Sequence, residues 1–561
     1  MLFSISLYVA LAIFCFGVLY KVWNWFRLEI GDACAGISTA SRLASSTKAV
    51  LGVFTSSRIL SFLEFLLLEV LFQRRLWNES KLRWFMHICI YWGFMLLLTM
   101  HALEDVVTAS LFEEYASTLN PFLFLRNLFG LMVIVGLGIA GYRRARVLGM
   151  RITSSYVDYY ALAILAVIMV SGILLESIKI VSPDEFYRMV EEYSAVEEGD
   201  ELDALKAYWV KEFGMVFPDF QLHGKEKLLE AGLEIHESDC AACHSRPQWA
   251  FLSYGVSRLL KGVGARGKAG STAQLLWYIH FLACFIGLAY MPFSKFFHIL
   301  ASPVSLLSKG VRQDKELEPP LKTTRRAMEL DACTHCAICT QHCSVWPSFS
   351  ILRNKFILPS EKLVGLKSLA RGNRLSEAEL RYLREGAHIC TSCYRCTDVC
   401  PVGIDLQDLW FCIKEDLAKR DYDSPYIWAR ETTVREFEKK RKAKEILALG
   451  AREYGQDSLL AMDSSDFSAC FGCQTCTNVC PVVADFEKPG EVLGLLPHQI
   501  MYTLGLELVE QALSSRMPWD CLTCYLCQEQ CPQSVPVADV LYGLRNLAYQ
   551  GLRTNLGNGR G

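Results

Sequence analysis

The sequence predicts an all-α protein: a five-span transmembrane helical bundle, a small helical insertion within it, and duplicated helical domains in the C-terminal half. Three observations predict it. Five apolar runs of membrane-spanning length lie before residue 305. One cysteine pattern, C-x2-C-x2-C-x3-C, occurs four times between Cys333 and Cys531. The segments between these motifs (360–386 and 486–515) have helical periodicity, and no Val, Ile and Thr alternation marks a strand. The chain has 561 residues, a net charge of −2, 52% hydrophobic residues and a mean hydropathy of +0.22. It is long enough for several domains, and so near-neutral a balance indicates no nucleic-acid partner.

The first apolar run, 3–20, ends in Lys21, Trp23, Trp25 and Arg27. No basic side chain precedes it, so it reads as a first span rather than a signal peptide. Spans two to five are expected at 84–104, 122–142, 157–178 and 273–297. A shorter apolar segment, 59–73, carries Glu64 and Glu69 between Arg58 and Arg74, and reads as an interfacial amphipathic helix. The first loop holds Arg27, Arg42, Lys48, Arg58, Arg74, Arg75, Lys81 and Arg83; the third holds Arg143, Arg144, Arg146 and Arg151. The second is acidic, with Glu104, Asp105, Glu113 and Glu114. Cytoplasmic loops are enriched in Lys and Arg. The expected topology, in a cytoplasmic (inner) membrane, therefore puts the N-terminus and the segment after span four outside, and everything after span five inside.

Four of the 11 histidines fall in or at the spans: His87 and His101 on span two, His280 and His298 on span five. Polar side chains in a bilayer are costly and mark function. Fourteen residues is nearly four helical turns and eighteen is five, so each pair is expected on one face of its helix, about 21 and 27 Å apart. The two spans run in opposite directions, which pairs His101 with His280 near the outer surface and His87 with His298 near the inner one. Two bis-histidine b-type haems use all four residues. Five spans with this histidine pattern resemble the gamma subunit of respiratory nitrate reductase. The phrase FQRRLWNESKLRWFMHICIYWGF also resembles the cytochrome b of heterodisulfide reductase and of sulfite-reduction-associated membrane complexes. The resemblance covers roughly 1–180 and 272–305, and implies a dihaem cytochrome b exchanging electrons with the quinone pool, menaquinone included. Glu104 or Asp105 are candidates to take quinol protons.

Residues 181–271 form an insertion containing Cys240-Ala-Ala-Cys243-His244. C-x-x-C-H is the attachment signature of c-type haem: two thiols form thioethers and the histidine ligates iron. The sixth ligand is open among His223, Met215 and Met189, with His223 and Met215 ranked first; His236 lies too close to the attachment helix to cross to the opposite face.

Sixteen of the 23 cysteines occupy the fourfold motif: Cys333-Cys336-Cys339-Cys343, Cys390-Cys393-Cys396-Cys400, Cys470-Cys473-Cys476-Cys480 and Cys521-Cys524-Cys527-Cys531. Proline follows the last cysteine in three copies (Pro401, Pro481, Pro532), whereas the first has Ser344, a departure expected to affect loop stiffness rather than ligation. This is the spacing of bacterial ferredoxins, in which the fourth cysteine ligates the partner cluster. Four [4Fe-4S] clusters follow: Cys333, Cys336, Cys339 with Cys400; Cys390, Cys393, Cys396 with Cys343; Cys470, Cys473, Cys476 with Cys531; Cys521, Cys524, Cys527 with Cys480. The region is a duplication, since Cys333 to Cys470 is 137 residues and Cys390 to Cys521 is 131. It resembles, twice over, the helical ferredoxin domain of the small cluster-binding subunit of heterodisulfide reductase. Cys15, Cys34, Cys89, Cys284 and Cys412 read as inert packing residues.

The expected domains are 1–180 (spans one to four), 181–271 (external insertion), 272–305 (span five), 306–330 (linker), 331–410 (first cluster domain), 411–465 (charged helical connector), 466–550 (second cluster domain) and a tail, 551–561. No adjacent Cys-Cys pair occurs, and no G-x-G-x-x-G fingerprint stands in a strand–helix context. The expected function is a transmembrane electron-transfer subunit of an anaerobic respiratory complex. It links the quinone pool or a periplasmic cytochrome c to a cytoplasmic redox subunit, with a pure relay lacking a quinone site as the alternative.

Overall fold

The computed structural model describes residues 2–31, 36–112, 115–146, 155–196, 199–223, 227–265, 268–310, 317–422, 436, 439, 465–470 and 472–558. Cys34, Glu113, Glu114, Arg151, most of the 411–465 connector, part of the 306–330 linker and the end of the tail lie outside them. Among the described residues all regular structure is helical. They divide into two compact units. One comprises Met1–Trp23 and Leu60–Pro303, the other Asn24–Ile59 and Val304–Gly561.

In the first unit five helices are long and apolar enough to cross a membrane: Leu2–Arg27, Lys81–Ala102, Phe122–Arg146, Tyr156–Ile180 and Ala269–Phe293. All five coincide with the expected spans. Span two packs along span three because glycines let the backbones meet. A Cβ on Gly136 would stand 2.8 Å from the Met86 carbonyl, and one on Gly93 2.8 Å from that of Phe129. Span one lies against span five through Phe3, whose ring centre is 5.8 Å from Trp277 and 5.4 Å from Phe281. Span four starts with a capping box, Ser155 to Asp158, that satisfies its first N–H groups. The 59–73 segment is helical from Arg58 to Phe65 and continues as a π-helical turn, Leu66–Leu71. With Thr39–Phe54 it forms a pair bent by 94° that, as a broken span, would make a sixth. The insertion folds into Pro183–Tyr193, Asp200–Glu212 and Leu228–Ile235 around an aromatic core with Phe186, Trp209, Phe213 and Phe217. A further helix, Phe251–Ala265, lies along spans three and four.

The second unit has two apolar cores, one for each half of the cysteine repeat. The first includes Leu330, Leu366, Leu383, Leu409 and Trp410, and the second Leu493, Ile500, Leu513, Leu541 and Leu544. Residues 24–59, expected to belong with the spans, are part of this unit. Ile30 is fully buried in the first core, Trp25 Nε1 donates to Asp331 at 3.0 Å, and Arg42 holds the Leu28 carbonyl at 3.0 Å. Arg326 clasps Asp408 through two hydrogen bonds of 2.6 and 2.7 Å and also reaches the Ile30 carbonyl. The two halves meet where Trp346–Leu352 packs on Thr475–Asn478, and there the buried Asn478 amide donates to Ser348.

Candidate redox cofactor sites

Each cysteine motif folds identically. The second residue after the first cysteine is left-handed (His335, Ser392, Gly472, Thr523, φ 51° to 73°), as is the fourth (Ala337, Tyr394, Gln474, Tyr525, φ 60° to 64°). A one-turn helix then carries the third cysteine: Ile338–Gln341, Arg395–Asp398, Thr475–Asn478 and Leu526–Glu529. These reversals aim backbone N–H groups at sulfur: His335 N lies 3.4 Å from Cys333 Sγ, and Thr523 N 3.4 Å from Cys521 Sγ. Such nests of N–H groups cradle anionic centres. A thiolate loop needs them because hydrogen bonds to sulfur stabilise the negative charge of an iron–sulfur cube.

The fourth cysteine of each motif reaches across to its partner. Burial pushes the Cys400 thiol up to about 12, with Cys336 and Cys333 as its thiol neighbours. Burial also takes Cys343 up to about 12; its thiol neighbours are Cys390 and Cys396, and the Lys362 ammonium opposes the rise. Cys480 faces Cys521 and Cys524, and Cys531 lies beside Cys470. Each fourth cysteine therefore lies among thiols of its expected partner motif. Among the described residues no three His, Cys, Asp or Glu close on a single-ion site. A cube spreads its four thiolates over four irons, so its ligands stand wider apart than those of one ion. The donor set fits the group.

Sequence reasoning missed two contacts around the Cys343 set. Ser344, where the other motifs have proline, places Oγ 3.4 Å from Cys393 Sγ and 3.1 Å from Thr391 Oγ1. Burial pushes the Cys393 thiol up, but the Ser344 hydroxyl and the Arg395 N–H outweigh it and hold the thiol below its ordinary value. The departure in the first motif thus acts on a ligand as well as on the loop. Lys362 is buried beneath Trp410, 5.0 Å from its ring centre, and supplies a fixed positive charge. Neither could be found in sequence, because each contact joins positions some 20 to 50 residues apart.

In the first unit the four histidines pair as expected. Ring centres are 6.2 Å apart for His87 and His298, and 6.4 Å for His101 and His280. An imidazole nitrogen ligates a metal at about 2 Å, so two imidazoles on opposite sides of one iron set their ring centres about 6 Å apart. Three of the four rings spend Nδ1 on a protein partner, which directs Nε2 to ligation; His280 Nε2 also has Cys284 Sγ at 4.0 Å. His87 Nδ1 is 2.8 Å from Gln73 Oε1, His298 Nδ1 2.7 Å from the Lys295 carbonyl, and His280 Nδ1 3.1 Å from the Ile168 carbonyl. Outer partners of this kind fix tautomer and orientation. The residues fit a bis-histidine iron.

The route to this arrangement differs from the expected one. His280 and His298 do not share a helix. Span five ends at Tyr290, a 3₁₀ turn through Pro292 follows, Ser294 is extended, and His298 opens a new helix, His298–Gly310. His101 lies in a π-helical turn, Leu98–Ala102. Counting turns of a regular helix therefore does not explain the pairing; proline and the π turn re-aim the rings. Gln73 reaches His87 from a left-handed residue, φ 54°, after the 59–73 segment. Asp158, almost fully buried, joins Arg144 of span three at 3.0 Å to Lys295 at 2.5 Å, and so ties three spans together at the His298 end.

The Cys240-Cys243-His244 loop is docked on the loop between spans two and three. Thr118 Oγ1 donates to the Cys243 carbonyl at 2.5 Å, and Ser245 Oγ accepts from Asn120 N at 2.9 Å. Three residues earlier, Tyr115 donates to the Met100 carbonyl at 2.6 Å, next to His101. Cys240 is buried and Cys243 exposed; the His244 ring lies 5.8 Å from Trp209. Of the sixth-ligand candidates, Met215 is buried in the core that holds Cys240, Met189 packs against that core, and His223 is exposed. His236 is buried among Tyr208, Trp209 and Phe213. Glu104 is engaged by Tyr115 at 3.1 Å.

Comparison with known proteins agrees with the iron–sulfur half. Residues 329–404 and 462–532 each match the 4Fe-4S dicluster domain family. A chain of the dihydromethanophenazine:CoB--CoM heterodisulfide reductase of Methanosarcina thermophila is 29% identical over 189 residues, 30% of this chain and 69% of the relative. The CoB--CoM heterodisulfide reductase iron-sulfur subunit of Methanopyrus kandleri is 39% identical over 80 residues, 14% of this chain and 38% of the relative. A chain of the H(2):CoB-CoM heterodisulfide,ferredoxin reductase of Methanothermobacter thermautotrophicus is 34% identical over 92 residues, 16% of this chain and 46% of the relative. No solved structure matches. Its apolar helices and its two dicluster domains make the chain a multi-pass membrane iron–sulfur protein, similar to two different subunits of heterodisulfide reductases.

Proposed function

We propose that the chain is the transmembrane electron-transfer subunit of an anaerobic respiratory complex, passing electrons between the quinone pool or an external cytochrome c and a cytoplasmic redox subunit. The observation that carries this reading is the coexistence of two histidine pairs at iron-ligating separation with a fourfold thiolate cradle in one chain. His87 with His298 and His101 with His280 hold two b-type haems; Cys240, Cys243 and His244 hold a covalent c-type haem. The sixteen motif cysteines hold four [4Fe-4S] clusters in the swapped sets given above. These groups supply one-electron chemistry when bound, and the protein sets their positions and potentials. Among the sixth-ligand candidates, the burial of Met215 beside Cys240 favours it over His223. That the relatives named above belong to larger reductases supports docking to partner subunits. The core shared by the basic loop after span one and the first cluster domain supports one cytoplasmic side for both.

The test is cofactor content. Pyridine haemochrome spectra of the purified chain should show two b-type haems and one c-type haem, and iron analysis about nineteen irons, about sixteen of them non-haem on a [4Fe-4S] basis. His87→Ala and His101→Ala should each remove one b-type haem and leave the clusters. Loss of neither sinks the dihaem reading.

A further inference from the structure

Between spans one, four and five lies a cavity of about 530 Å³, lined by Ile13, Tyr156, Val157, Tyr160, Ile286, Ala289, Tyr290 and Phe293. Its walls are aliphatic or aromatic. Its size is that of a small-molecule site, and such sites pair apolar walls with a few placed polar groups. One such group is present. The Tyr160 hydroxyl is buried and has no hydrogen-bond partner among the described residues. A buried unpaired hydroxyl costs free energy and calls for an explanation. The Tyr160 ring meets that of Tyr290 edge-on at 5.1 Å, and Tyr290 adjoins Phe293 at 6.4 Å. Tyr156, four-fifths exposed, stands at the mouth. The cavity lies at the Asp158 end of the bundle: Tyr160 is two residues from Asp158, and Phe293 two from Lys295, whose carbonyl holds His298.

We infer that this cavity binds the head group of an isoprenoid quinone, with the Tyr160 hydroxyl donating to a quinone carbonyl. A flat ring fits between tyrosine and phenylalanine faces, and its chain leaves past Tyr156 into the bilayer. A phospholipid acyl chain would fill the volume but offer the hydroxyl no acceptor. The assignment rests on the quinone-exchange reading above. It places the site beside the His87–His298 pair, whereas Glu104 and Asp105 lie at the opposite end.

The full chain in phospholipid nanodiscs, treated with a diazirine-bearing 2-methyl-1,4-naphthoquinone with a short isoprenoid chain, tests it. Photolabel should map to 156–160 or 286–293 and be displaced by menaquinone. Tyr160→Phe should weaken labelling about five- to tenfold, and Ala289→Trp, which fills the cavity, should abolish it; helical circular dichroism and cluster absorbance should stay at the wild-type level. Label that maps elsewhere, or that is unchanged in both variants, overturns the site, and if naphthoquinol still reduces the b-type absorbance the exchange reading survives alone. Labelling of these segments by a diazirine phospholipid but not by the quinone also overturns the site. Neither label nor quinol-driven reduction overturns site and exchange together.

Discussion

Ser344 sets one hydroxyl against a sulfur of the proposed second cluster. A donor to a ligating sulfur stabilises the more negative, reduced cluster and raises its potential. Ser344→Ala removes the group 3.4 Å from Cys393 Sγ. A hydrogen bond of about 1 kcal/mol corresponds to about 40 mV for one electron. The potential of the Cys343-containing cluster should therefore fall by about that amount in an electron-paramagnetic-resonance redox titration, with the other three unchanged. An equal shift in all four would mean a general loosening instead. Lys362→Met should move the same cluster in the same direction, since the buried ammonium faces Cys343 and Cys396. The missing proline was legible in the sequence. Its consequence was not, because Cys393 is 49 residues away and only packing brings it within reach.

At the scale of elements, irregularities aim the ligands. The break at Pro292 and the π turn at His101 set the ring separations. Close helix contact then holds them: a Cβ on Gly172 of span four would lie 3.0 Å from His280 Cε1. On the dihaem proposal, Gly172→Val should displace that ring and cost the outer b-type haem its low-spin spectrum, while the inner one and the far-ultraviolet dichroism persist. The same logic joins the two cluster domains. Asn478 and Ser348 are both buried at the contact between Trp346–Leu352 and Thr475–Asn478. Asn478→Leu leaves the Ser348 hydroxyl without its amide partner and forces a larger apolar side chain into the contact. It should slow electron exchange between the halves after flash reduction without altering any single cluster's spectrum. The duplication was evident from spacing; its mutual docking was not.

Over the whole molecule, residues far apart in sequence share one fold. Arg326 is 5% exposed, and its pairing with Asp408 anchors Ile30 in the first cluster core. Burial opposes the charged form of Asp408, but the Arg326 hydrogen bonds outweigh it and hold the carboxyl below the usual carboxylate range. A lowered folded value contributes stability above the unfolded value of about 3.9, and that stability is lost as pH falls through the folded one. Asp408→Asn takes the opposing charge from a buried guanidinium and should cost about 3 kcal/mol. Limited proteolysis should then cut the segment after Arg27 at neutral pH; an uncut segment would show the pair to be dispensable. Replacing both Cys240 and Cys243 by alanine should remove haem that survives denaturing electrophoresis, yet leave both proposed b-type signals, since His244's loop is hydrogen-bonded to Thr118 and Asn120, outside the spans that carry the paired histidines.

Local chemistry was readable from the sequence alone. Spans are legible because bilayer thickness demands long apolar helices. The cluster motifs are legible because a cube requires thiolates at short, repeated spacing, and the fold sets each fourth cysteine among thiols of the partner motif. The expected histidines do lie ring to ring, although not through the helix periodicity that suggested it. Only the tertiary structure decided the assignment of residues 24–59 to the cluster unit, the Gln73 and Lys295 partners of the histidines, the Ser344 contact and the cavity beneath Tyr160. Each depends on side chains brought together by packing between segments distant in sequence, which periodicity and composition do not encode.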